Sequence, residues 1–246
     1  MIRPSTSDAL DFPAMARPSL LRRSLAEAIA AFFLVFAGCG AIITNAREGE
    51  LGAVGVALAF GLVITVMVYA TGHLSGAHIN PAVTLAFTLT RHFPAREAGA
   101  YLTAQFGGAT AGALVLLAVW PSQPARLGAT VPAVGTGTAL LYEVLLTAIL
   151  MFVIVSVATD TRAVGTGAAI AIGGTVGLDA LVGGPLTGAS MNPARSLGPA
   201  LAAWELDDLW LYLIGPVVGA ALGALAYQLV RGEPPDPASP GRGGSR

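Results

Sequence analysis

At 246 residues, 54% hydrophobic and 11% charged, with a mean hydropathy of +0.72, the chain is far more apolar than a soluble domain, where about a quarter of residues are charged. A net charge of −1 argues against a nucleic-acid surface, and a single cysteine, Cys39, excludes an internal disulfide. One cysteine and three scattered histidines supply no metal cluster, nucleophile–base pair or phosphate loop, so the composition points away from an enzyme and implies no cofactor.

Residues 1–20 read as a polar N-terminal tail with Pro4, Pro13 and Pro18 and no apolar signal-peptide core, so the first span is expected to direct insertion. A helix needs about 20 mostly apolar residues to cross a bilayer. Six stretches qualify: 23–44, 52–72, 96–119, 137–158, 164–183 and 208–230. Two more apolar pieces, 79–90 and 191–203, are too short to cross. Each follows a Gly-rich approach, 71–76 or 183–188, and each opens on the same triplet, Asn80-Pro81-Ala82 or Asn192-Pro193-Ala194. Asn can cap the free N–H groups of a helix start, and Pro at the first helical position has no N–H to leave unsatisfied. A helix beginning at membrane depth is tolerated only where it is buried in protein or lines a wet cavity. Two such starts therefore predict two half-helices along one aqueous path.

The order is span, span, half-helix, span, and then the same again. An odd number of spans per half turns the second half upside down, which gives an inverted repeat. The expected fold is an all-α membrane protein of six transmembrane helices plus two re-entrant half-helices. Its parts are the first repeat at 21–120, a loop at 121–136, the second repeat at 137–231 and a Pro/Gly/Ser-rich, disordered tail at 232–246. Glu27 and Glu143 open the first and fourth spans at a separation close to that of the two Asn residues. All thirteen basic residues are Arg, and ten fall on one side of the predicted spans, with Arg47, Arg126 and Arg195 towards the other. Positive-inside bias then places both termini in the cytoplasm. The glycines spaced four apart, Gly108/Gly112, Gly173/Gly177 and Gly215/Gly219/Gly223, suit close helix crossings and need no role in permeation.

The half-helices enter from opposite sides, so their N-termini, each carrying roughly half a positive charge, should meet near the midplane. Cations are repelled there, and the Asn80 and Asn192 side chains offer N–H donors to a passing oxygen. A permeant held by both interrupts a proton wire. Arg195 stands three residues after Asn192, where the first repeat has Val83. So costly a residue should face water or a partner, and no acid lies at a convincing spacing to pair with it.

The stretches His73-Leu74-Ser75-Gly76-Ala77-His78-Ile79-Asn80-Pro81-Ala82-Val83-Thr84 and Thr187-Gly188-Ala189-Ser190-Met191-Asn192-Pro193-Ala194-Arg195-Ser196-Leu197-Gly198-Pro199 resemble the two signatures of the aquaporin (major intrinsic protein) family. The resemblance covers about residues 20–231. It implies a homotetramer in the cell membrane, one pore per subunit, moving water or small neutral solutes passively. It also makes Arg195 the arginine of an outer constriction, completed at the corresponding positions by Phe60, Ala180 and Ala189. Water-selective members carry His at the position of Ala180, so a wider, more apolar opening is implied here. Ser196 stands where glycerol facilitators have Asp. With Phe36-Ala37-Gly38-Cys39-Gly40, Ala158-Thr159-Asp160 and Tyr212-Leu213, it makes the chain most similar to the nodulin-like intrinsic proteins of plants, which pass water, glycerol and metalloid hydroxides.

Several readings stay open. Glu27 and Glu143 are either acceptors for the unwound backbone before each half-helix or, with Asp179 as a third candidate, coupling groups of a secondary transporter. Asp179, about 100° around the helix from Ala180, is either paired at a helix interface or reaches water. His78 is expected to line the cytoplasmic half of the pore, with His73 and His92 in loops or interfaces. Thr84 and Ser196 either satisfy half-helix backbone or merely pack. A strictly water-selective channel, and a sealed pore that only adheres membranes, complete the alternatives.

Overall fold

Without water to satisfy it, a backbone at membrane depth must bond within its own segment, and long apolar runs therefore fold as helices. The computed structural model describes residues 17–160 and 167–232, and among these it contains eight α-helices and no strand. They are α1 (Leu20–Glu48), α2 (Gly52–Ser75), α3 (Pro81–Leu89), α4 (Ala95–Val119), α5 (Thr136–Thr159), α6 (Ala168–Thr187), α7 (Pro193–Ala203) and α8 (Leu209–Val230). Most of the two expected tails, and the start of the span placed at 164–183, lie outside the described residues. Among the described residues six helices are long and apolar enough to cross a membrane. The other two, α3 and α7, have 9 and 11 residues. At about 1.5 Å per residue they reach no more than halfway through a hydrocarbon core of about 30 Å.

The packing repeats itself. In the first half α1 lies against α2 and α4, and in the second α5 lies against α6 and α8. The halves join where α2 meets α6 and where each half-helix crosses over: α3 packs chiefly on α8, and α7 on α4. Backbone contact at equivalent points sets these crossings. A Cβ on Gly108 would overlap the carbonyl oxygen of Ala28, and one on Gly219 would overlap that of Val144. One turn on, Gly112 sits against Phe32 and Gly223 against Ala148. At the central seam Gly61 and Gly173 face one another in the same way. Large apolar side chains such as Leu58, Leu62, Ile149 and Leu178 are left exposed on the outer surface, where lipid or another subunit would cover them.

Two boundaries differ from the sequence reading for a physical reason. The Gly-rich stretches at 71–76 and 183–188 are not unwound: α2 continues to Ser75 and α6 runs through Pro185 to Thr187. Proline is tolerated in that last turn, and the helices stop only where Gly76 (φ 91°) and Gly188 (φ 84°) adopt the left-handed conformation that glycine accepts. Each irregular approach is thus four residues long, 76–79 or 188–191. The loop between the repeats has regular local structure. It carries a tight turn over Pro124–Gly128 in which Ala125, Arg126 and Leu127 all have left-handed φ, and Leu127 is fully buried.

Candidate pore and its constriction

In each approach three of the four residues are left-handed: the leading glycine, then Ala77 (φ 45°) and Ile79 (φ 56°) in the first repeat, Ala189 (φ 42°) and Met191 (φ 52°) in the second. Such φ values cost a non-glycine residue of order 1 kcal/mol or more each, so something must hold them. In both repeats it is a buried carboxylate. The Glu27 oxygens accept from the N–H groups of His78 (3.0 Å) and Ile79 (2.6 Å), from the Ser75 hydroxyl (2.6 Å) and from the Gln105 amide (2.8 Å). Glu143 does the same for Ser190 N–H (3.0 Å), Met191 N–H (2.9 Å) and the Thr187 hydroxyl (2.8 Å). Tyr101 and Tyr212 complete the frame by donating to the carbonyls of Ser75 and Thr187, both at 2.7 Å. Tyr101 and Gln105 had no local sequence signal. Only the offset of 111 between Tyr101 and Tyr212, close to that between the Asn residues, would have singled the tyrosines out.

The approaches deliver the chain to Asn80 and Asn192, which cap the half-helices. Asn80 Oδ1 accepts from Ala82 N–H at 2.9 Å, and Asn192 Oδ1 accepts from the N–H groups of Ala194 (3.0 Å) and Arg195 (3.3 Å). Their amide nitrogens are exchanged between the repeats. Asn80 Nδ2 donates to the Met191 carbonyl (2.7 Å), and Asn192 Nδ2 to that of Ile79 (3.0 Å). An amide carries two N–H donors, so each side chain keeps one for the lumen. The two half-helix N-termini are thereby held face to face.

Three cavities line up through this centre. The lumen, of about 70 Å³, has an apolar wall that includes Ile64, Val68, Leu150 and Val176, with a polar stripe from residues 76–80 and 189–192. A vestibule of about 570 Å³ at one end shares four residues with it: Phe60, Ala180, Ala189 and Arg195. Those four, the positions expected to form a constriction, meet at this junction. A mouth of about 640 Å³ at the other end shares only Gly76 and His78 with the lumen, and His73 and His92 line it as well. The His78 ring is held by Thr84 Oγ1 (3.1 Å) and by the rings of Phe87, Phe93 and Tyr101. Among the described residues no group of His, Cys, Asp and Glu is placed to hold a metal.

Arg195 is 2% exposed and forms no ion pair among the described residues. Its Nη1 donates to the Gly128 carbonyl of the inter-repeat loop (2.8 Å), and its guanidinium carbon lies 5.0 Å from the centre of the Phe60 ring. Asp179 is 2% exposed, and among the described residues its Oδ2 has no hydrogen-bond partner.

Phe60 is seated on Gly38, where a Cβ would fall 2.6 Å from ring atom Cδ1 and 2.7 Å from Cζ. Gly38→Ala should therefore drive the ring off its seat at the cost of overpacking, about 1–3 kcal/mol. The expected result is a loss of solute flux greater than the loss of water flux, read by vesicle light scattering. Equal losses would mean that Phe60 does not border the narrowest point.

Comparison with known proteins agrees with this geometry. The family model for "Major intrinsic protein" matches residues 14–227. The chain is 49% identical over 213 residues to Aquaporin NIP1-4 of Oryza sativa subsp. japonica, covering 87% of this chain and 78% of that protein. It is 47% identical over 212 residues to Nodulin-26 of Glycine max, covering 86% and 78%. The X-ray structure of the aquaglyceroporin from Plasmodium falciparum superposes with a TM-score of 0.76 at 26% identity, covering 87% of this chain and 97% of that one. Two inverted repeats, paired Asn-Pro-Ala half-helices and these matches together show that the chain belongs to the major intrinsic protein family.

Proposed function

We propose that the chain is a passive channel for water and small uncharged solutes, glycerol among them and neutral metalloid hydroxides such as arsenous or boric acid, and that it excludes protons and ions. The observation that carries this is the make-up of the constriction: two methyl groups, Ala180 and Ala189, line the junction of lumen and vestibule together with Phe60 and Arg195. The aromatic face suits a carbon skeleton, and the guanidinium suits hydroxyl oxygens. Neither alanine offers the imidazole that would narrow the opening towards water alone. The secondary-transporter reading is disfavoured, because none of its three candidates, Glu27, Glu143 and Asp179, lines the lumen, and Glu27 and Glu143 spend their oxygens on backbone and side-chain donors. The same reading places the chain in the cell membrane as a homotetramer, with both termini cytoplasmic by the distribution of Arg.

Stopped-flow light scattering on proteoliposomes tests it. Fast shrinkage in sucrose and rapid re-swelling in glycerol are expected. Shrinkage without re-swelling would make this a water-selective channel, and flux that needs a proton gradient would make it a transporter. Ala180→His with Ala189→Thr should then cut the glycerol rate about tenfold, the scale of added bulk in a packed space, and the water rate by much less. Unchanged glycerol passage in the double variant would move the filter elsewhere.

A further inference from the structure

The half-helix of the second repeat is held by a feature that its role as a cap does not explain. Three buried hydroxyls stand in a row: Thr130 Oγ1 lies 2.8 Å from Ser196 Oγ, which lies 2.6 Å from Ser190 Oγ. Ser190 Oγ also donates to the Asn192 carbonyl at 3.0 Å and accepts from Asn192 N–H at 3.3 Å. Each hydroxyl has one proton, and a carbonyl can only accept. All of these contacts are made together in one arrangement only, with Thr130 donating to Ser196, Ser196 to Ser190, and Ser190 to Asn192. Thr130 is thereby joined to Ser190 only through Ser196.

The first repeat has an equivalent clasp across Asn80, from His78 to Thr84 (3.1 Å), with Gln105 donating to Thr84 at 2.9 Å. There the outer anchor is a rigid transmembrane helix. In the second repeat it is the inter-repeat loop. That loop also gives Gly128 O to Arg195, receives the Cys39 thiol on the same carbonyl at 3.7 Å, and donates from Ala133 N–H to Leu186 O at 2.8 Å. Asn192 and Arg195 are thus oriented from one loop.

We propose that Thr130, Ser196 and Ser190 act as a single positioning chain through which this loop aims Asn192 and so sets how the pore discriminates between water and glycerol. The proposal rests on the channel reading above. Hydrogen bonds in a chain support one another, so cutting it anywhere has the same consequence.

The test is a double-mutant cycle on the full-length chain in proteoliposomes, reading the glycerol-to-water permeability ratio. Thr130→Val keeps the volume and removes the hydroxyl, and Ser190→Ala cuts the other end. Each single variant is expected to shift the ratio about fivefold, the scale of one lost hydrogen bond. The double variant should shift it no further, and Thr130→Ser should restore the wild-type ratio. A double variant shifted by about 25-fold, the product for independent sites, would overturn the proposal. So would an unchanged ratio in both singles, or a Thr130→Ser variant as impaired as Thr130→Val. If Thr130→Val yields no folded protein, Ser196→Ala takes its place in the cycle with the same criteria. A wild-type protein that passes neither water nor glycerol would overturn the channel reading itself, not the chain.

Discussion

Replacing Glu27 or Glu143 by Ala is expected to leave little folded protein. Glu143→Ala strands Ser190 N–H and Met191 N–H, and Glu27→Ala strands His78 N–H and Ile79 N–H, while the Thr187 and Ser75 hydroxyls keep only long bonds to Gly183 O and Thr71 O. A buried donor without a partner costs about 1–3 kcal/mol, and a typical total stability is about 5–15 kcal/mol, so two such losses with the weakened hydroxyl bonds consume much of it. The backbone donors are the decisive ones, because a left-handed approach cannot turn them elsewhere. Glu143→Gln sharpens the argument. It keeps one acceptor oxygen but sets an NH₂ group against an N–H, donor against donor. If the carboxylates are scaffold, the Gln variant should also unfold at lower temperature, read by thermal unfolding in detergent. A Gln variant that stays as stable as the wild type but loses transport would instead assign Glu143 to proton coupling.

Much of this architecture was written in local signals. Two Asn-Pro starts inside apolar sequence predict two half-helices, because only a capped, proline-led start is tolerable at that depth. The near-equal offsets between the Asn pair and the Glu27/Glu143 pair expose the repeat, and a repeated scaffold repeats its supports. What the sequence hid is non-local. Nothing about Gln105 or Thr130 distinguishes them from other polar residues until folding brings them to Thr84 and Ser196. The glycines before each half-helix read as a Gly-rich approach, yet all but the last are helical, since a helix stops at the residue that turns left-handed and not at the first glycine. The inter-repeat loop carries no periodic signal at all, although Gly128 supplies the carbonyl that holds Arg195. Asp179 marks the opposite case: its sequence position allowed a partner or water, and the structure gives its Oδ2 no hydrogen bond.

Arg195→Val should open the pore to cations and protons. Valine is what the first repeat carries at the same offset, Val83, so the half-helix accepts it without a change of backbone. At about 5 Å and an effective dielectric constant of about 20, a fixed unit charge opposes a like charge by about 3 kcal/mol, or roughly a hundredfold in conductance. Proton leak in reconstituted vesicles is expected to rise by that order, measured with an internal pH dye under an imposed gradient. Arg195→Lys separates charge from shape. Lysine keeps the positive charge but lacks the fork that reaches Gly128 and stacks on Phe60, so the cation barrier should persist while glycerol flux falls. An intact barrier in Arg195→Val would transfer exclusion to the facing half-helix N-termini and the Asn pair. Those act on the same permeant a few residues further in, and they would then be sufficient alone. The two outcomes place the barrier at different depths of one path. The arginine then either duplicates the central exclusion or supplies what two half-charges cannot.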